Sequence, residues 1–178
     1  MSTRIAPLSV SDLPDVQILA SDEALSQTSN IPWPYPEEGA WSWFASVQDG
    51  IALGQSVVFS IHQDGFSGIV SLNDIRSDSK SFEVDYWVCR PKWGKGICSE
   101  AVRQAILYAK HVLRLDTAFS ACLVRNPASS KVLLRNAFEE TKRFTNAGQF
   151  GSKYLEPMIR YRKIIRDGAQ SCADPKVS

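Results

Sequence analysis

A chain of 178 residues suits one domain with one sizeable core, and a 44% apolar content excludes a disordered polymer. Lys and Arg number 20 against 19 Asp and Glu, so the near-zero net charge excludes a nucleic-acid footprint spread over the whole surface. The cysteines are Cys89, Cys98, Cys122 and Cys172; none forms a CxxC pair, and with only His62 and His111 beside them no metal spacing appears.

The opening MSTRIAPLSVSDLPD lacks an apolar leader core, and no apolar run approaches the ~20 residues that cross a bilayer. The expected setting is therefore cytoplasmic, with reduced thiols. Residues 3–8 read as a first strand. Ser11 or Asp12 then caps a helix that carries Leu13, Val16, Leu19 and Ala20 on one face. A proline-rich loop, 31–39, holds Trp33 and Tyr35. Pro36 fits the first turn of a second helix, with Glu37 and Glu38 near its positive end and Ala40, Trp41, Phe44 and Val47 inward. Residues 56–63 alternate with period two, Asp64-Gly65 is a hairpin turn, and 66–73 is the return strand.

After a loop at 76–80, SFEVDYWV (81–88) is another strand. Alternation puts Glu83, Asp85 and Trp87 on one face and Phe82, Val84, Tyr86 and Val88 on the other. A helix follows to about Leu113, and its apolar spacing includes Ile97, Ala101, Val102, Ala105 and Ile106. Residues 117–124 form a strand. Asn126-Pro127 starts a helix with Ala128, Val132 and Leu133 inward. Two closing strands occupy 138–144 and 158–165, and 166–178 reads as a frayed tail, leaving a single domain over 1–165. The order β α α β β β α β α β β predicts an α+β fold: a mostly antiparallel sheet with one central parallel junction, flanked by helices.

Gly94 and Gly96 stand between strand 81–88 and the following helix. Without Cβ atoms, such a turn lets an anion approach unpaired N–H groups at the helix start; a plain tight turn is the competing reading. Arg90, Lys92, Lys95 and the more distant Lys131 are candidate charges for phosphates. The pattern is neither a P-loop nor a GxGxxG fingerprint, since Ser99 stands where the third glycine would be.

Two blocks carry a family resemblance. YWVCRPKWGKGICSEAVRQAILYA (86–109) resembles the acetyl-CoA-binding segment of the GNAT acetyltransferases, in their RimJ/RimL-like branch. NPASSKVLLRNAF (126–138) is similar to the N-x-x-S helix of that branch. Pro91 departs from the Gln or Arg common in the wider superfamily. Ala137 replaces the usual corner glycine, so Asn136 is expected to take the left-handed cap.

The resemblance implies a GNAT-like sheet whose parallel strand pair splays at the cofactor site. It also implies acetyl-CoA as co-substrate, no metal, and transfer to a primary amine by direct attack on the thioester. In that scheme Trp93, Gly94, Lys95, Gly96, Ile97 and Cys98 form the pyrophosphate turn. A backbone N–H near Val88 or Cys89 is the oxyanion donor. Glu83 is the base, with Asp85 as understudy or acceptor contact, and Ser129 is the acid on the thiol side. Asn126 contacts the pantetheine arm, caps its helix, or does both. Trp33 and Tyr35 line the acceptor pocket. Tyr86 and Trp87 are packing or pocket walls, and Cys98 is not a nucleophile because no base is placed beside it. The acceptor is a peptide N-terminus or a small-molecule amine, the chain a monomer or homodimer, and neither membrane nor nucleic acid is a partner. The rival reading is a catalytically silent CoA-binding sensor; a nucleotide-binding protein is a third and remote one.

Overall fold

The computed structural model describes residues 2–145 and 155–165; the predicted tail at 166–178, with Cys172, lies outside them. Within the described residues the elements run β1 (Arg4–Pro7), α1 (Leu13–Ala20), α2 (Glu23–Ser26), α3 (Gly39–Ala52), β2 (Val57–His62), β3 (Phe66–Arg76), β4 (Ser81–Val88), α4 (Ile97–His111), β5 (Thr117–Leu123), α5 (Pro127–Arg135), β6 (Glu139–Thr145) and β7 (Pro157–Ile164). They build a 7-stranded sheet in the order β1-β2-β3-β4-β5-β7-β6, in which only β4 and β5 run parallel.

Period-two alternation sorts the apolar residues onto two faces. On one, Phe59, Ile61, Val70, Leu72, Phe82 and Val84 pack under α4 and α5. On the other, Val58 and Ile69 pack under α1 and α3. The β2–β3 turn has Asp64 at φ 52° and Gly65 at φ 93°, the left-handed pair that an Asp-Gly hairpin requires. Gln104 on α4 ties down the edge strand: its amide donates to Thr3 O at 2.8 Å and accepts from the Ile5 N–H at 3.1 Å.

Four local expectations are corrected. The second helix begins at Gly39 instead of Pro36, and Trp41 is 43% exposed. The face that meets the sheet is Ala40, Trp43, Phe44 and Val47, an i, i+3, i+4, i+7 stripe, and Trp41 lies about 100° round from Ala40. The short α2 was not anticipated; Asp22 Oδ1 caps it by accepting from the Ala24 N–H at 2.9 Å. Ala128 is exposed on the first turn of α5, while Leu133 reaches the core. Asn136 is not the left-handed residue. Its buried amide donates to Ser99 O and Val132 O, both at 3.0 Å, so its backbone stays at φ −91° and Ala137 takes φ 57°.

Candidate active site

The glycine turn leaves β4 and opens α4. Gly94 and Gly96 have φ 74° and 77°, and Gly96 is the N-cap. A Cβ at either position would meet nothing within 4 Å, so the turn is open to solvent. The Glu100 N–H bonds Gly96 O at 3.1 Å, beginning the helical ladder, and the N–H groups before it face the turn. Arg90 and Lys95 are exposed in the turn segment, and Lys131 is exposed on α5. Lys92 differs: its ammonium donates to the carbonyls of Gln63 and Asp64 and braces the β2–β3 hairpin. The Ile97 side chain is core, leaving only its backbone to the turn. The Trp93 indole N–H donates to Val88 O at 2.6 Å, pinning the turn to the end of β4. Burial pushes the Cys98 thiol up to about 12, which keeps it neutral and un-nucleophilic.

The parallel pair parts just before this turn. β4 and β5 are in register only at Ser81–Thr117, Phe82–Ala118 and Glu83–Phe119. Beyond Glu83 a side chain replaces the ladder: Ser120 Oγ donates to Val84 O at 2.9 Å. On the β3 side the Cys89 N–H donates to Ser67 O at 2.8 Å. Antiparallel alternation therefore turns the N–H groups of Tyr86 and Val88 away from β3, toward the opening. Of the two oxyanion donors weighed from the sequence, Val88 faces the gap and Cys89 does not.

Across the opening stands the first turn of α5. Asn126 Oδ1 accepts from the Ser129 N–H at 3.2 Å and caps the helix, while its amide donates to Thr28 O at 3.4 Å. Both ends of Asn126 therefore have structural partners. Ser129 Oγ is 2.8 Å from the Tyr86 hydroxyl, which also donates to Ser129 O at 3.1 Å. Ser130 Oγ instead pairs with the Tyr161 hydroxyl at 2.7 Å, which separates the two neighbouring serines. Burial lifts Tyr86 well above the ordinary phenol range, against the pull of its Ser129 bond, so the phenol keeps its proton.

On the opposite face of β4, bordering the same opening, lies a cleft of about 590 Å³ whose lining includes Asn30, Asn73, Glu83, Asp85, Phe119 and Arg160. Arg160 of β7 forks onto Glu83, with Nη1 donating to Oε2 at 2.9 Å and Nη2 to Oε1. Its guanidinium lies 4.9 Å from the centre of the Phe119 ring. Burial raises the Glu83 carboxyl, and the Arg160 bond and charge oppose that rise. Asp85 opens to solvent, yet the cleft walls around it raise its carboxyl too, against an Asn73 amide that donates to Oδ2 at 2.8 Å.

The structure thus gathers Glu83 and Asp85 in one cleft, and sets Ser129 and the Gly94–Gly96 turn around the opening beside it. Trp33 and Tyr35 are not among the cleft residues. Trp33 is 43% exposed, and Tyr35 packs on the start of α3, its ring 2.8 Å from where a Gly39 Cβ would be. Asn30, the residue just before their loop, lines the cleft. Arg160 and the Tyr86–Ser129 bond escaped the sequence reading. Arg160 sits in an alternating strand like any surface cation, and only strand order brings it to Glu83.

Comparison with known proteins matches residues 3–139 to the family described as acetyltransferase (GNAT) domain. The ribosomal-protein-serine acetyltransferase of Escherichia coli is 30% identical over 129 residues, covering 70% of this chain and 72% of the relative. Among solved structures, the ribosomal L7/L12 alpha-N-protein acetyltransferase RimL in complex with coenzyme A superposes with a TM-score of 0.82 at 20% identity, covering 93% of this chain and 95% of the other. Spermidine N-acetyltransferase from Vibrio cholerae, in complex with CoA and spermine, superposes at 0.77 and 17% identity, over 91% and 95% of the two chains. At those identities the structural likenesses speak for the fold.

Proposed function

The chain belongs to the GNAT acetyltransferase family and is an N-acetyltransferase, and from that premise we propose that it acetylates the α-amine of a peptide or protein N-terminus. Acetyl-CoA, when bound, supplies the acetyl thioester. The observation that carries the proposal is the parted β4–β5 pair. It has outward-facing N–H groups, an anion-accepting turn at its end and a carboxylate cleft on its other face. The open, left-handed Gly94–Gly96 turn fits a pyrophosphate, because N–H groups at a helix start can reach it with no Cβ in the way.

In this reading the Val88 N–H stabilises negative charge developing on the carbonyl oxygen, and the rigid strand holds it in place beforehand. Glu83 takes the proton of the acceptor ammonium, directly or through a water, since an amine attacks only when neutral. Asp85 contributes a second negative charge that draws a cationic acceptor into the cleft. Ser129 gives a proton to the departing thiolate and takes one back from water entering the opening, while the neutral Tyr86 hydroxyl bonded to it holds it in position. The cleft's breadth and its single-sheet floor suit an extended peptide end, and the sequence likeness to a ribosomal-protein acetyltransferase points the same way.

The test is a mass-spectrometric screen with isotopically labelled acetyl-CoA against N-terminal peptides, spermidine, spermine and other small amines. Label on peptide α-amines is the expected result. Label on polyamines alone would overturn the acceptor class, and CoA binding without label on any amine would leave the silent sensor. Within the active case, Glu83→Gln lowers kcat by ~10²–10⁴-fold with acetyl-CoA affinity retained; normal turnover would remove Glu83 as the base.

A further inference from the structure

Glu83 is held in an unusual way for a strand carboxylate. Arg160 does not come from a neighbouring strand. In the sheet order β5 lies between β4 and β7, and Arg160 is in register with Ala121 of β5. Its side chain crosses over β5, covers the Phe119 ring and ends in a fork on both Glu83 oxygens. Phe119 is the residue in register with Glu83 at the last rung before the strands part. The guanidinium therefore closes a bridge over the point where the opening begins.

We propose that Arg160 is a positioning residue that sets both the orientation and the charge of Glu83. This rests on the reading of Glu83 as the base. A bidentate fork fixes the carboxylate plane, as a single ammonium cannot. It uses one lone pair on each oxygen, and a carboxylate offers about four acceptor sites, so the outer two remain for a water or an ammonium. The charges around Glu83 make the fork necessary. Asp85 on its own strand and Asp74 on β3 are like charges that favour protonating it, and burial acts in the same direction. Arg76 on β3 faces the cleft as well, but is ion-paired with Asp74 at 2.9 Å. Among the described residues, Arg160 is the cation bonded to Glu83. Without it the carboxylate would take up a proton more readily, and an acid cannot accept the acceptor's proton.

The experiment compares wild type, Arg160→Gln and Arg160→Lys in two readouts. The first is the pH dependence of kcat/KM. In Arg160→Gln the acid limb moves to higher pH, with activity falling about 10-fold or more on the acid side and recovering toward alkaline pH. Arg160→Lys returns the limb toward wild type, because the charge is back, but leaves kcat reduced, because the fork is not. An Arg160→Gln profile lowered equally at every pH, with the Glu83 titration also undisplaced, would show a merely structural role and overturn the proposal. Should Arg160→Gln fail to fold, Arg160→Lys carries the test alone, and unchanged kcat in it would overturn the fork's role. The second readout follows the Glu83 carboxyl in the apoprotein by carbon-13 NMR titration, identified by its loss in Glu83→Gln. An upward displacement in Arg160→Gln supports the coupling, and none refutes it. A displaced titration with an undisplaced rate profile would sustain Arg160's hold on Glu83 while removing Glu83 as the base.

Discussion

Gly68 offers the sharpest test of how the fold places the site. It lies in β3 opposite Val88, with φ 158°. A Cβ there would stand 2.1 Å from Trp87 O and 2.8 Å from Val88 Cα, both backbone atoms of β4. Ordinary contact begins near 3.4 Å, so β4 must retreat by about 1.3 Å or β3 must buckle. Strain of this kind costs about 3 kcal/mol, which for a domain of this size lowers Tm by about 6–12 °C. The retreat falls on the residues that flank the opening, and a misplacement of about 1 Å costs up to ~10²-fold in rate. Urea unfolding and steady-state kinetics of Gly68→Ala check both effects. Gly65→Ala is the control: its φ is also positive, 93°, but nothing lies within 4 Å of its Cβ, so it suffers backbone strain alone, about 1–2 kcal/mol. If Gly68→Ala is no less stable than Gly65→Ala, the close-approach reasoning is wrong. If it is unstable but keeps wild-type kcat, Val88 is not the donor.

Gly94→Glu places a carboxylate in the open turn, and calorimetry should show CoA binding weakened by ~10²-fold or more with the circular dichroism unchanged; normal binding would remove the turn as the pyrophosphate site. Asp85→Asn should raise Tm at neutral pH. A carboxyl raised in the fold is destabilising once ionised, so the wild type loses stability as pH rises from the ordinary 3.8 through its raised value. The Asn variant avoids that loss, and the two proteins should converge below that ordinary value. Cys98, with its thiol at about 12, should resist iodoacetamide at neutral pH in the folded protein and react on unfolding; rapid labelling of native Cys98 would contradict its burial.

Most elements were legible because their signals are local. The Asp64-Gly65 turn, the alternation of 81–88 and the Asn126-Pro127 helix start depend on residues a few positions apart, and the structure has each in place. Trp41, Ala128 and Asn136 were misread because helix docking or a distant carbonyl decided them: Asn136 answers to Ser99, 37 residues away. The candidate site divides in the same way. The glycine turn and the Glu83/Asp85 face follow from chain order and period two. The Tyr86–Ser129 bond spans 43 residues and the Arg160–Glu83 fork 77.

The sequence by itself therefore determined the fold family, the open glycine turn and the strand that carries the carboxylates, since each is written in contiguous residues. Only the tertiary structure decided which donor faces the gap, which serine meets Tyr86 and which cation holds Glu83. Those depend on ladder alternation across β3, on the parting of β4 from β5 and on β7 lying beside β5, and none of the three is encoded in any short stretch of chain.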